Sequence, residues 1–149
     1  MVRRFSALKW GAIAGIPWGS GVGALAGWIS DNYVNVGLSR IGSSWVYFGA
    51  FMLALPVGMI GGAVGGAIFV KVRRRLPGQT LGVKAIVFSV VVWLFEVIPI
   101  PALGWGRARA YEFSAYDLVM MNALDLVLLL SWGALFAFFY GRDMTGSSS

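Results

Sequence analysis

The sequence predicts an all-α, polytopic membrane protein: a four-transmembrane-helix bundle with glycine-zipper packing and a short inverted repeat in its first two helices. Three observations carry that prediction. Of 149 residues, 58% are hydrophobic and only 12% charged, with a mean hydropathy of +0.77. A soluble domain carries roughly twice that charged fraction. Four stretches are long and apolar enough for a bilayer core of about 30 Å, which takes about 20 helical residues to cross. In the first two of them glycine recurs at every fourth position. The chain has no cysteine and no histidine. That composition excludes disulfides, thiolate metal sites, Ser-His-Asp or Cys-His catalysis, and histidine ligation of haem or zinc. No cofactor and no metal are expected.

Each element follows from its own residues. The first span runs from about 10 to 29, behind Arg3, Arg4 and Lys9. These charges, the apolar stretch and Ala24-Leu25-Ala26 also outline a cleaved signal peptide, and the paired arginines before Phe5 a twin-arginine one. Glycine at every fourth position is foreign to such a core, so a retained helix is expected. The second span covers about 45 to 70 and runs into Lys71-Val72-Arg73-Arg74-Arg75, with a turn at Leu76-Pro77-Gly78. Lys71, Arg73, Arg74 and Arg75 should rest on anionic headgroups, each contributing roughly 1 kcal/mol near such a leaflet. The third span covers about 85 to 103 and the fourth about 118 to 140, followed by a polar tail at 141–149. Connections this short leave no room for a soluble module, so residues 1–149 form a single transmembrane domain. Between the first two spans, Val34, Val36, Leu38 and Ile41 suit a segment lying in the membrane interface.

Orientation follows from the positive charges. Nine fall on one side: Arg3, Arg4, Lys9, Lys71, Arg73, Arg74, Arg75, Lys84 and Arg142. Only three, Arg40, Arg107 and Arg109, fall on the other. Positive residues stay cytoplasmic, so a multi-pass chain in the cell membrane with both termini inside is expected. Trp28, Tyr33, Trp45, Tyr47, Trp105, Tyr111 and Tyr116 gather at the outer ends, and Trp10 and Tyr140 at the inner ends, as aromatic belts do. The pI of about 10.2 therefore reports topology. Nucleic acid is not an expected partner, because a basic face with aromatic platforms has no room here. Membrane lipids are.

Gly11, Gly15, Gly19, Gly23 and Gly27 share one face of the first helix, and Gly58, Gly62 and Gly66 one face of the second. Helices in lipid gain no hydrophobic drive toward each other, so small residues that permit close backbone approach decide their packing. By depth, Gly11, Gly15 and Gly19 should meet Gly58 to Gly66, leaving Gly23 and Gly27 for another helix or another subunit. The segments also share a skeleton: Pro17-x-Gly19-x3-Gly23-x3-Gly27 aligns without gaps on Pro56-x-Gly58-x3-Gly62-x3-Gly66. Because these helices cross in opposite directions, the likeness constitutes an inverted repeat, or else two convergent packing sequences. Pro17 and Pro56 fall near mid-membrane as candidate hinges, where transporters often bind substrate.

Two acids lie inside the expected spans. Glu96 stands about 18 Å from the inner boundary and Asp125 about 12 Å from the outer one, the same level in a core of about 30 Å. An intramembrane acid costs several kcal/mol unless paired or hydrated, which makes it a candidate site. Asn122 lies one turn above Asp125, and Ser89 two turns below Glu96, extending a polar stripe. In the competing reading, Pro99 and Pro101 end the third helix early and Arg107 or Arg109 neutralises Glu96 at the outer headgroups. The leading expectation is a small transporter or channel for a cation, proton or small solute, acting as a homo-oligomer or with partner membrane subunits. The alternatives are a non-catalytic subunit or assembly factor of a larger membrane complex and, third, a lipid-modifying membrane enzyme. No Asp/Glu cluster supports the enzyme.

Overall fold

A computed structural model of the chain describes residues 2–29, 43–97 and 114–146. These fold into four helices: α1 (Val2–Ile29), α2 (Ser43–Val72), α3 (Leu81–Val97) and α4 (Ala115–Gly146). Residues 30–42 and 98–113, with Val34, Val36, Leu38, Ile41, Arg40, Arg107 and Arg109, lie outside the described residues. Two helices are long and apolar enough to cross a membrane, over Phe48–Val72 and Val119–Thr145. Only 22% and 28% of those windows are buried, so their apolar side chains mostly point away from the bundle. Leu53 is 76% exposed and Val119 69%. The described part of α3 is apolar over Leu81–Phe95 only, which is short for a crossing.

Local chemistry sets the helix ends. The Thr80 hydroxyl caps α3 by accepting the Val83 N–H at 3.3 Å. Ser114 and Asp117 form a reciprocal capping box on α4: the Asp117 N–H donates to Ser114 Oγ at 3.1 Å and the Ser114 N–H to Asp117 Oδ2 at 3.1 Å. Between α2 and α3 the chain turns at Gly78, whose φ of +117° suits only glycine. Ser20, Ser89 and Ser131 return their hydroxyl protons to carbonyls four residues back, so each hydroxyl donates within its own helix.

α1 and α2 touch backbone to backbone. A Cβ built on Gly15 would meet the Gly58 carbonyl oxygen, and one on Gly11 the Gly62 carbonyl oxygen. At Gly19 it would stand 2.6 Å from the Ala54 oxygen and at Gly66 2.5 Å from the Ala7 oxygen. Gly23 departs from the depth argument: its Cβ would meet Phe51 Cα at 2.9 Å and Ala54 Cβ at 3.1 Å, so α2, not another helix, covers it. Contacts pair off around a centre where Gly19 faces Gly58, positions that occupy the same slot of the shared skeleton. Gly15 against Gly62 on one side is mirrored by Gly23 against Ala54 on the other. Both helices continue through Pro17 and Pro56, which lie exposed on the outside of the bundle.

The other close pairs are α1 with α4 and α3 with α4, whereas the backbones of α2 and α3 scarcely touch. Aromatic side chains bridge that gap. Trp132, Phe136 and Tyr140 stack along α4 at 5.3 and 5.2 Å, and Phe69 of α2 sets its edge against Phe136 and Phe88. Tyr140, expected in the inner aromatic belt, is thus fully buried. Within the stretch expected as a polar tail, α4 continues to Gly146. There the Asp143 carboxylate accepts from the Ser6 hydroxyl and, at 3.1 Å, from the Trp10 indole N–H, tying the start of α1 to the end of α4.

Candidate functional site: a half-enclosed cleft

Gly61 and Gly65 each precede a seam glycine by one position, which turns them about 100° from α1 toward the α2/α3 gap. Lacking side chains, they admit two indoles. A Cβ on Gly61 would stand 3.2 Å from Trp18 Cζ3, and one on Gly65 3.2 Å from Trp132 Cζ2. Where α2 and α3 stand apart, a half-enclosed cleft of about 110 Å3 remains, walled by Trp18, Gly61, Gly65, Phe88, Ser89 and Trp132. All four helices contribute to it.

The polar groups around this cleft are linked by tryptophan. Trp18 donates its indole N–H to Asp125 Oδ1 at 3.2 Å, crossing from α1 to α4. Trp93 donates to the Asn122 carbonyl at 3.0 Å and Trp132 to the Gly11 carbonyl at 3.3 Å. Ser89 is fully buried in the cleft wall, its hydroxyl proton given to the Ala85 carbonyl at 3.1 Å. Opposite it Gly133 has no room for a side chain, since a Cβ there would lie 2.5 Å from Ser89 Oγ.

The residues singled out from the sequence fall as follows. Ser89 lines the cleft, and Asp125 reaches it through Trp18. Asn122 stands one turn above Asp125, its carbonyl engaged by Trp93. The side chain of Glu96 lies outside the described residues, although its backbone belongs to α3. Leu81 stands opposite Gly141 and Ser89 opposite Gly133, a register that carries position 96 to about the level of Asp125. Lys71, Arg74 and Arg75 are exposed around the end of α2. Among the described residues no three or more Asp and Glu side chains gather as a metal site would require.

Sequence reasoning missed the tryptophans as site residues. The signal was present: tryptophan favours membrane interfaces, yet Trp18, Trp93 and Trp132 fall within the expected spans, away from their ends. A buried indole N–H normally finds an acceptor, so each such tryptophan implies a polar group nearby. Compared with known proteins, the chain matches no family model, no curated protein and no solved structure.

Proposed function

We propose that this chain is a small multi-pass membrane transporter or channel for a cation, proton or small solute, with the cleft and Asp125 at its centre. One observation carries the reading: a carboxylate inside the apolar stretch Val119–Thr145 is held by an indole that itself walls a cleft. Acids in such stretches are expensive and mark ion and proton pathways. The wider arrangement agrees with it. Leu53, Val57, Ile60, Val119 and Val127 face outward around an aromatic core, while the Ser89 hydroxyl is buried and the Trp18–Asp125 bond is half-buried, as suits a bundle whose outer surface meets lipid. All four helices then cross the cell membrane with both termini cytoplasmic, α1 sheltered by its glycine seam. The α1/α2 contacts are read as a glycine zipper, and their pairing about Gly19 and Gly58 as an inverted repeat about an axis in the bilayer plane. Glu96, level with Asp125, is the candidate second carboxylate.

Purified protein in liposomes tests this. Asp125→Asn keeps an oxygen for the Trp18 N–H, so the melting temperature should stay near wild type, while proton or cation flux should fall at least tenfold. Wild-type flux that survives both Asp125→Asn and Glu96→Gln removes the acids from the mechanism. A second reading, a non-catalytic subunit or assembly factor, draws on the open α2/α3 edge as a place for a partner helix. Obligate partners in the native mass measured from nanodiscs would favour it, whereas a homogeneous oligomer favours transport.

A further inference from the structure

We infer that the cleft selects a compact organic ammonium cation, a trimethylammonium head or its equal, over metal cations and over neutral molecules of the same shape. This rests on the proposed role of the cleft and names its ligand class. Three aromatic rings, Trp18, Phe88 and Trp132, wall a space of about 110 Å3. An apolar cavity of about 150 Å3 admits benzene, so a head of four or five heavy atoms fits, with any substituent leaving by the open side. In so small a space the charge of a guest lies within about 6 Å of a ring, the range of cation–π attraction. Trp18 is the strongest of these partners, because its N–H donates to the Asp125 carboxylate and that bond pushes electron density into the ring. Asp125 also places a counter-charge one indole away.

Other ligand classes fit less well. A metal ion must exchange its water for several oxygen ligands. This wall presents one hydroxyl, Ser89, whose proton is already given to Ala85. An anion would be repelled by Asp125 behind the Trp18 indole and would find no lysine or arginine in the wall. A neutral guest gains the apolar contact but neither the ring attraction nor the counter-charge.

The test uses labelled choline, in a scintillation proximity assay on the full chain in nanodiscs, with 3,3-dimethylbutan-1-ol as its uncharged carbon isostere. Choline should bind saturably, and the isostere should compete at least tenfold more weakly. Asp125→Asn should weaken choline about tenfold and leave the isostere unchanged, and Trp18→Leu should weaken choline about tenfold and the isostere distinctly less. Gly61→Leu places a side chain in the cleft away from the α1 seam, and should abolish binding of both. Melting temperatures show which variants are folded, and Trp18→Leu and Gly61→Leu serve as independent checks. Equal competition by the isostere, competition by potassium at the same concentration, or undiminished choline binding in a folded Gly61→Leu protein would overturn the inference. Flux separates it from the transport reading. Choline binding without flux of choline, potassium or protons refutes transport and leaves the ligand class standing; Asp125-dependent proton or potassium flux without choline binding does the reverse.

Discussion

Tyr140 is completely buried, and its hydroxyl finds no hydrogen-bond partner among the described residues. An unsatisfied buried hydroxyl costs roughly 1–3 kcal/mol, while the ring stacks on Phe136 and holds the core. Tyr140→Phe should therefore raise stability by about 1 kcal/mol in thermal or denaturant unfolding. A clear loss would mean that the hydroxyl has a partner. Ser89 and Gly133 give a second test. Gly133→Ala sets a methyl carbon 2.5 Å from Ser89 Oγ and 3.0 Å from the Ala85 oxygen, and overpacking of that kind costs about 1–3 kcal/mol. Adding Ser89→Ala removes the nearer clash and should restore part of the loss. Strictly additive effects would show that the two residues do not touch. Neither relation was legible in the sequence, where Ser89 figured as one step of a polar stripe and Gly133 as an unremarked glycine.

At the scale of the helix, the four-residue glycine period is plain in the sequence because an α-helix brings every fourth position to nearly one face. Which neighbour each glycine meets is not, because that depends on how two helices cross. Depth alone gave Gly23 away to another helix, yet the α1/α2 contact extends to Ala54, a small residue outside the glycine pattern. The difference between seam and surface is measurable. Gly15→Ala drives a methyl into the Gly58 carbonyl and should cost about 2 kcal/mol or more, since backbone must move. Gly49→Ala, on α2 with nothing within 4 Å, should be neutral or gain up to about 1 kcal/mol from helix propensity. Equal melting temperatures for the two variants in one detergent would deny the seam. The end of α4 was illegible for a different reason. Residues 141–149 look like a polar tail by composition, and only folding brings Asp143 to Ser6 and Trp10, more than 130 residues earlier.

For the molecule as a whole, the division into helices was legible because apolar stretches and charge runs alternate along the chain. The cleft was not. It depends on α2 and α3 standing apart and on Trp18 reaching Asp125, relations between helices distant in sequence. The proposed bundle, with its carboxylate at mid-depth, stands or falls on four crossings with both termini inside. Cysteine accessibility measures that directly, because the chain contains no cysteine of its own. Gln79→Cys places a thiol in the exposed α2–α3 turn, and Ser114→Cys one at the exposed start of α4. In intact cells a membrane-impermeant maleimide should label the cysteine at 114 and spare that at 79 until the membrane is opened. Labelling of the cysteine at 79 from outside, or labelling of that at 114 only after the membrane is opened, would contradict the four-span topology on which the proposed site depends.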